Sequence, residues 1–337
     1  MSLKLLHISD LHLTTDFFSP STWITTSHDP HCFAALTNYW TSQSIDYLFV
    51  TGDIATDGQV KSFEHAKDFF LGRFQATTWP GTPMLGLDLK TFDRIFLAPG
   101  NHDRYFGDLV PFAVQIRNFE QVFGTVFQNA GRPRNARWMQ SNDLRVRVLA
   151  FDSMGAAGAT TAKGKVHEDD LDWLRTMYDA DKRAKEQCDL RVAVLHHHVA
   201  LPSNRRFKRL TRLKNMSDVI EDLLRADIDI VMFGHEHKRY VGARTYADLI
   251  GDRRRCRNLE RNGYDVEKRL VTCMCGTTTQ QGSAPRLAWD VVIDRTRPAE
   301  YELTFTLLEV NLGLQNLVPV QGEKRPSHSS ARHAARR

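Results

Sequence analysis

The chain has no run of about eighteen apolar residues, which is the length that a helix needs to cross a bilayer. Its first residues reach the acidic Asp10 too early to supply the apolar core of a secretory signal peptide. It has only five cysteines in 337 residues, and their spacing gives no disulfide framework. These absences exclude a membrane-spanning protein and a disulfide-rich secreted domain. We therefore expect a cytoplasmic location, where thiols stay reduced.

Paired metal-binding cysteines are also absent. Cys273 and Cys275 are separated by one residue in a segment with the pattern of a β-strand, so both thiols are expected on the same face. Together with Cys256 they would supply half of a zinc site. Structural zinc sites usually show Cys-x-x-Cys or Cys/His pairs, which this segment lacks. The pattern therefore disfavours zinc there.

Excess positive charge is confined to short segments. The formal net charge is +5, but residues 321–337 alone carry a net of +4, so the remaining chain is close to neutral. Two basic segments, 205–214 and 253–269, are able to contact phosphates, although such segments are more often solvated loop faces. No continuous basic track for nucleic acid is evident. The Ser/His/Arg-rich tail, 321–337, has no core-forming residues and is predicted to be disordered.

What the sequence does contain is a series of apolar, strand-like segments that end in polar residues. The alternating segment 3–9 ends in Asp10-Leu11-His12, and residues two apart on a strand project to one side. The segment 45–50 ends before Gly52-Asp53, and 95–98 ends before Asn101-His102-Asp103. Because open α/β sheets bind ligands at the carboxyl ends of their strands, these side chains are candidates for one site.

Two further strand ends are rich in histidine. The segment 191–195 leads into His196-His197-His198, and 228–233 leads into Gly234-His235-Glu236-His237. Apolar residues at helical spacing predict helices over 33–42, 59–74, 110–123, 168–184 and 217–225. Strand-like runs at 269–275, 286–293 and 301–308 are expected to be antiparallel strands that complete a second sheet. We see no internal repeat and no linker that divides the chain.

The strand ends supply nitrogen and oxygen donors without thiolate, which is typical of a transition-metal centre. The candidate ligands are Asp10, His12, Asp53, Asn101, His196, His235 and His237. Seven ligands are too many for one catalytic ion that keeps an open position, and they suit two ions that share a bridging carboxylate. Two aspartates leave two divalent ions with excess positive charge, which attracts a phosphate ester. The alternative is that these residues belong to unrelated turns, which would require polar residues of this kind to follow five strands by coincidence.

In this order, the motifs resemble the five blocks of the calcineurin-like metallophosphoesterase superfamily. The motifs are Asp10-x-His12, Gly52-Asp53, Gly100-Asn101-His102-Asp103, His196 after a strand, and Gly234-His235-x-His237, covering about residues 3 to 240. The resemblance implies an α/β fold, a four-layer αββα sandwich of two mixed sheets flanked by helices, with the active site at the strand carboxyl ends. The catalytic domain is expected over 1–320, with an insertion around 243–268 that the family pattern does not explain.

The resemblance also implies roles for individual residues. Asp10, His12 and His237 would hold one ion, Asn101, His196 and His235 the other, and Asp53 would bridge them. His102, which is not a ligand, would act as the general acid on the leaving oxygen. His197 and His198 would support the ligands or face the substrate, and the role of Asp57 stays open because it is one residue away from the usual family position. Manganese, iron, zinc, cobalt or nickel, divalent or trivalent, all suit these donors.

The Asp-Leu-His start, the histidine triplet and the modest size are similar to the bacterial branch that includes class III cyclic nucleotide phosphodiesterases, although the chain is longer than that branch usually needs. This resemblance implies hydrolysis of a small phosphodiester, such as a 3′,5′-cyclic nucleotide, by a hydroxide that bridges the metals. A nuclease, a phosphomonoesterase or a pyrophosphatase of the same superfamily remains an alternative. A binding scaffold is disfavoured because no ligand and no acid histidine is missing. Nucleic acid is not the favoured partner, and the oligomeric state stays open.

Overall fold

The computed structural model describes residues 2–14, 29–74, 84–104, 117–124, 133–141, 143–154, 163–199, 213–279, 285–297, 300–320 and 327–331. The basic segment 205–214 therefore falls largely outside the described residues, as does the first half of the helix predicted over 110–123, whose second half is helical from Asn118 to Phe123. The described strands are, in chain order, β1 (Ser2–Ile8), β2 (Tyr47–Thr51), β3 (Ile95–Ala98), β4 (Asn135–Ser141), β5 (Leu144–Ala150), β6 (Leu190–Val194), β7 (Ile230–Phe233), β8 (Tyr240–Thr245), β9 (Arg269–Met274), β10 (Leu287–Arg297), β11 (Glu300–Asn311), β12 (Asn316–Pro319) and β13 (Ser327–Ala331). The described α-helices are α1 (Pro30–Ser42), α2 (Val60–Phe70), α3 (Asn118–Phe123), α4 (Glu168–Arg183), α5 (Met216–Arg225), α6 (Tyr246–Ile250) and α7 (Arg253–Arg261).

The strands form two mixed sheets. The first has the order β12-β11-β10-β1-β2-β3, with β13 also paired to β11, and the second has the order β4-β5-β6-β7-β9-β8. In the first sheet β1, β2 and β3 are parallel, and in the second β5, β6, β7 and β9 are parallel. The strands that precede the predicted ligands are therefore parallel strands, central in their sheets except for β3 at the edge of the first sheet, and their carboxyl ends share one edge within each sheet.

Successive side chains of a strand point to opposite faces of its sheet, and each face packs against a different layer. Leu5 points into the core between the two sheets, whereas its neighbour Leu6 packs against the first helical layer, which includes Phe63 and Phe69 of α2. In the second sheet Val192 faces the inter-sheet core and Ala193 faces the second helical layer, which includes residues of α4 and α5. Because both faces of the central strands are buried, their sequences are almost continuously apolar. The predicted four-layer αββα sandwich is confirmed.

One sheet assignment is wrong. The three strand-like runs after residue 269 do not together complete the second sheet. The first of them, β9, does extend that sheet, but it lies parallel to β7. The other two, β10 and β11, join the first sheet, where β10 pairs antiparallel with β1. Alternation of apolar residues predicts which faces of a strand are buried, but backbone groups of any strand can form the ladder, so it does not predict the neighbour.

Five residues of the tail, 327–331, are among the described residues, and its predicted disorder stays a prediction for the others. Residues 327–331 form β13, which pairs antiparallel with β11 from Ala331 opposite Glu300 to Ser327 opposite Thr304. The unpaired edge of β11 offers backbone donors and acceptors to any extended segment, so this pairing needs no apolar side chain.

The insertion expected around 243–268 is a compact unit of the outer helical layer. It contains the end of β8, then α6 and α7, and leads directly into β9. Cys273 and Cys275 lie buried between the sheets, whereas Cys256 of α7 packs in the helical layer on the other face of the second sheet. The three thiols therefore do not share a site. Among the described residues, no helix combines the length and apolar character needed to cross a membrane.

Candidate metal centre

The edges of the two sheets meet where the central parallel strands end. The loop after β1 runs beside the loop after β2, since the backbone amides of Asp10 and His12 donate to the carbonyls of Gly52 and Asp53 at 3.0 and 2.9 Å. From the second sheet, the His196 imidazole Nδ1 lies 2.7 Å from the Thr51 carbonyl at the end of β2. Ligand candidates that are far apart in sequence are thus brought to one place by backbone pairing.

Five of the seven predicted ligand residues have left-handed backbone conformations. The φ angles of Asp10, His12, Asp53, His235 and His237 are 53°, 48°, 47°, 76° and 50°. Residues other than glycine rarely adopt this region, and such conformations persist only where the surrounding structure enforces them. Their concentration at one edge of the fold indicates a site for which side-chain placement outweighs local backbone preference.

The ligand atoms cluster in groups. In each of three groups they lie within 4.8 Å of one another: Asp10 with His12 and His237, Asp53 with His196 and His235, and His12 with Asp53 and His102. Asn101 Oδ1 lies 3.1 Å from His196 Nε2, which adds it to the second group. The structure therefore brings all seven predicted ligands together, with Asp53 next to both ligand sets.

Around His196 two oxygen acceptors and a second imidazole face the same ring nitrogen. Because a carbonyl oxygen only accepts, His196 Nδ1 must donate to Thr51, which leaves Nε2 with a lone pair in the neutral ring. That atom lies 3.1 Å from Asn101 Oδ1, 3.1 Å from His235 Nδ1 and 3.4 Å from Asp53 Oδ2. Buried acceptors that face one another repel unless a proton or a cation lies between them.

The pKa values reflect this arrangement. Burial alone would lower the pKa of His196, but the Asp53 carboxylate outweighs burial and raises that pKa to about 9. Burial likewise opposes the charge of Asp53, yet His196 and His102 hold the pKa of Asp53 well below its usual range. The pair Asp10 and His237, 3.2 Å apart, behaves similarly, because their mutual attraction outweighs burial, so the pKa of Asp10 falls and that of His237 rises. Protons hold these groups together, and metal ions displace such protons when they bind.

Two other histidines are held neutral. Burial, assisted by the neighbouring His102, lowers the pKa of His12 to about 3. Burial and the neighbouring His197 and His196 lower the pKa of His235 well below its usual value. His235 Nε2 is buried and has no hydrogen-bond partner in the described part of the chain. A neutral imidazole with an unused ring nitrogen is a good transition-metal ligand, so this donor set fits the metal centre that the sequence predicted.

His102 is held at the border of the cluster. Its backbone amide donates to Asp53 Oδ1 at 2.8 Å, and its ring Nδ1 lies 3.0 Å from the Thr56 carbonyl, to which it must donate. In the neutral ring the other nitrogen, Nε2, therefore carries the lone pair. Asp57, whose role the sequence left open, accepts a hydrogen bond from the Gln59 amide at 3.1 Å. The orienting contact seen for the imidazole is thus a carbonyl, which fixes the tautomer without adding charge.

His197 and His198 of the triplet are both buried. His197 packs its ring 4.3 Å from that of His235, and its Nδ1 is hydrogen-bonded to Ser153 Oγ at 2.8 Å. The His197 amide donates to the same hydroxyl at 3.1 Å. These contacts place His197 behind a predicted ligand, where it limits how the His235 ring can turn.

Some residues that shape the centre were not among the predicted site residues. Ser9 Oγ donates to Asp10 Oδ2 at 2.5 Å, which orients that carboxylate. The Asp103 carboxylate accepts from the backbone amides of Gly100 at 2.8 Å, Ala55 at 2.8 Å and Ile54 at 3.2 Å, and so joins the loops that carry Asp53 and Asn101. Ser9 adjoins a predicted motif and Asp103 is the last residue of one, but the sequence does not reveal which amides a carboxylate will accept from.

Arg104 joins the two sheets beside the centre. Its buried guanidinium donates to Asp152 Oδ2 at 2.6 Å, just after β5, and pairs with Glu120 of α3 at 2.8 Å. A buried cation between two carboxylates is costly to leave unpaired, so this contact holds the Asn101-His102 loop against the second sheet.

Glycines allow the ligands to approach the backbone. A Cβ on Gly52 would lie 2.3 Å from His196 Nδ1, one on Gly100 would lie 2.2 Å from Asp53 Oδ1, and one on Gly234 would lie 1.9 Å from Ser9 Oγ. None of these distances is compatible with a real side chain, so each glycine makes room for a group of the site.

We expect Gly52→Ala to displace His196 and to lower the free energy of unfolding by about 2 kcal/mol or more, because the added methyl overlaps the ring and φ is +90°. Gly124→Ala is the matched control, since a Cβ there meets no atom within 4 Å and the φ of −58° suits any residue. Urea unfolding of both variants measures the difference. Equal stabilities would show that the site tolerates a side chain at Gly52.

Comparison with known proteins agrees with this geometry. The calcineurin-like phosphoesterase profile matches residues 3–239, more than two thirds of the chain. Among solved structures, a purple acid phosphatase from yellow lupin (Lupinus luteus) seeds is similar with a TM-score of 0.52 and 10% identity, over 98% of this chain and 54% of that one. GAP50, the anchor in the inner membrane complex of Plasmodium, is similar with a TM-score of 0.48 and 11% identity, over 98% of this chain and 89% of that one. No curated protein matches the chain significantly in sequence.

The chain spans about half the length of the lupin phosphatase, and at this identity the likeness shows the fold alone. The family match is independent of it and covers the residues that form the cluster, from Asp10 to His237. The profile, the αββα fold and the convergent donors agree: the chain belongs to the calcineurin-like phosphoesterase family.

Proposed function

We propose that the chain is a metal-dependent phosphodiesterase that hydrolyses a small phosphodiester, such as a 3′,5′-cyclic nucleotide. The observation that carries the proposal is the convergence of ligand atoms on His196 Nε2, since the acceptors Asn101 Oδ1 and Asp53 Oδ2 lie 3.1 and 3.4 Å from it and the His235 ring nitrogen Nδ1 lies 3.1 Å from it. Such a set is favourable only around positive charge. A protein that used these residues for turns or packing alone would gain nothing from placing acceptors against one another.

In this proposal Asp10, His12 and His237 hold one metal ion, Asn101, His196 and His235 hold the other, and Asp53 serves both. When bound, transition-metal ions acidify water and polarise phosphoryl oxygens, which is the chemistry that phosphoester hydrolysis needs. The chain contributes the fixed arrangement of donors. His196 is oriented by the Thr51 carbonyl and Asp10 by Ser9, so these ligands do not have to reorganise when substrate arrives.

His102 is proposed as the general acid. Its Nδ1 proton is committed to the Thr56 carbonyl at 3.0 Å, so Nε2 is the atom that can deliver a proton to the leaving oxygen. The ring is half-buried beside His12, with ring centroids 4.8 Å apart, and is thus close to the ligands without sharing their full burial. An acid in this position assists substrates whose leaving group is a poor anion, such as the ribose oxygen of a nucleotide.

The choice of a diester follows from the resemblance of the Asp-Leu-His start and the histidine triplet to the cyclic nucleotide phosphodiesterase branch, and the choice of a small substrate follows from charge. Two carboxylates against two divalent ions leave a positive centre, which suits an anionic phosphoester. The chain before residue 321 has a net charge near +1, so it offers no general attraction for a long polyanion at the site. A cytoplasmic location stays a prediction from the sequence.

To test this, the metal-loaded protein is assayed with five substrates at low and high salt. They are a cyclic nucleotide and bis(p-nitrophenyl) phosphate as small diesters, p-nitrophenyl phosphate as a monoester, a dinucleoside pyrophosphate, and a single-stranded oligonucleotide. We expect the highest kcat/KM on the small diesters, with little salt dependence, and loss of activity in His196→Ala. The control is His65→Ala, which removes a half-buried imidazole of α2 outside the donor set. A preference for the monoester or the pyrophosphate, or oligonucleotide cleavage that falls with salt, would contradict the proposal.

A further inference from the structure

The outer surface of α7 carries an unusual concentration of positive charge. The helix contains five arginines and one glutamate in nine residues, a net of +4 in a chain whose total is +5. It lies beyond residue 239, where the family match ends, so the family fold does not require it. Leu259 is buried against the second helical layer, whereas Arg253, Arg254, Arg257 and Arg261 are exposed.

These four arginines share one face of the helix. Arg253, Arg257 and Arg261 are spaced four residues apart, so they form a row along the axis about 12 Å long, with Arg254 beside it. None of the four forms an ion pair with another described residue. In contrast, Arg255, which is also exposed, pairs with Asp218 and Glu221 of the neighbouring α5 at 3.2 and 2.9 Å. The neighbouring helix α5 thus neutralises one arginine of α7 and leaves the row of four without an ion pair to a described residue.

The row is unfavourable for the isolated helix. Like charges four residues apart repel, and cations in the first turn oppose the helix dipole. The Asp252 side chain offsets part of this by accepting from the amides of Arg254 and Arg255 at 2.8 and 3.2 Å. A bound partner with regularly spaced negative charge would relieve the repulsion.

The chemistry of the face favours phosphodiester groups. All basic residues of α7 are arginine, whose planar guanidinium binds phosphate through two parallel hydrogen bonds and stacks on bases. Asn258, also exposed, lies next to the row and adds a neutral donor and acceptor. A helix that enters a membrane surface needs apolar side chains beside its cations. The exposed side of α7 has none, which disfavours a lipid surface.

We propose that the outer face of α7 binds the phosphate backbone of a single-stranded nucleic acid. This binding would not depend on the base sequence. This surface is independent of the proposed phosphodiesterase activity. The nucleic acid would bind to a helix of the outer layer, and this binding would not depend on which small substrate the metal centre hydrolyses.

The test is binding of a fluorescein-labelled oligothymidylate of about 20 nucleotides to the full chain, followed by fluorescence anisotropy across a salt series, with gels to verify that the probe stays intact. In the variant R253Q/R254Q/R257Q/R261Q we expect at least about tenfold weaker binding at low salt. Its plot of log K against log salt should be shallower by about 3, since each phosphate contact contributes about 0.7 for a single strand. The control K61Q/K182Q/R183Q/K185Q removes four exposed charges from α2 and the end of α4 and should keep the original slope.

Unchanged thermal melting and unchanged hydrolysis of small substrates in the α7 variant establish that the loss is local. An unchanged slope, or the same loss in the control, would overturn the proposal. So would α7-dependent binding to phosphatidylcholine vesicles containing about one-third phosphatidylserine, without binding of the oligonucleotide. None of these results bears on the small-substrate activity, so the two proposals fail separately.

Discussion

Asp53→Ala is expected to release both metal ions and to lower kcat by about 10³-fold or more. Asp53 is the carboxylate whose ligand atoms lie within 4.8 Å of those of His12 on one side and of His196 and His235 on the other. A bound ion contributes several kcal/mol to phosphoryl transfer, and about 1.4 kcal/mol corresponds to a factor of ten. The change also removes the charge that stabilises protonated His196, so the cluster loses its central counter-charge.

Elemental analysis of the purified variant, alongside the original chain loaded in the same way, measures this effect. Asp57→Asn is the matched control, because Asp57 is a buried aspartate on the same loop that lies outside the donor groups and should leave both ions bound. One ion retained in full by Asp53→Ala would mean that the carboxylate serves a single ligand set. Circular dichroism of the variant separates loss of metal from loss of fold.

His102→Ala is expected to leave bound metal nearly unchanged and to reduce turnover of substrates with poor leaving groups by about 10² to 10⁴, the usual contribution of a general acid. The reason is that the His102 side chain hydrogen-bonds to the Thr56 carbonyl, while its contact with Asp53 is made by the backbone amide and survives the substitution. Substrates that release p-nitrophenolate need little protonation, so their turnover should fall much less.

The measurement is kcat for an alkyl or nucleotide ester and for the p-nitrophenyl ester of the same phosphate, with metal content determined in parallel. Loss of an ion in His102→Ala would assign the residue to the ligands, as its proximity to His12 and Asp53 allows. Equal losses on both esters would point to a role in binding charge rather than in proton transfer.

The position of the site was predictable because it depends on strand ends. Asp10 and His12 follow a strand with a clear alternation, and Asp53, Asn101 and His196 each follow an apolar run that had to be buried on both faces. Parallel central strands place their carboxyl ends at one edge, so a correct strand prediction already implied proximity. The five left-handed φ angles were not predictable, since these aspartates and histidines adopt them only under the constraint of the folded loops.

Hydrogen bonds between site side chains and the backbone could not be predicted from the sequence. His102 is oriented by the Thr56 carbonyl, and Asp103 accepts from three amides in two loops. Every residue except proline offers the same amide and carbonyl, so no residue type marks the partner in advance. Ser9, which orients Asp10, is likewise one of many serines until the fold places it.

The amino-acid sequence by itself determined where most strands and helices form, which of their faces are buried, and which donor residues follow the strand ends. Tertiary structure alone decided that β10 pairs with β1, that residues 327–331 add a strand to β11, and that Arg255 of α7 pairs with acidic residues of α5 while the other arginines of α7 do not. The physical reason is that side-chain patterns encode burial, whereas the choice of neighbour depends on backbone hydrogen bonds and packing that exist only once distant segments have met.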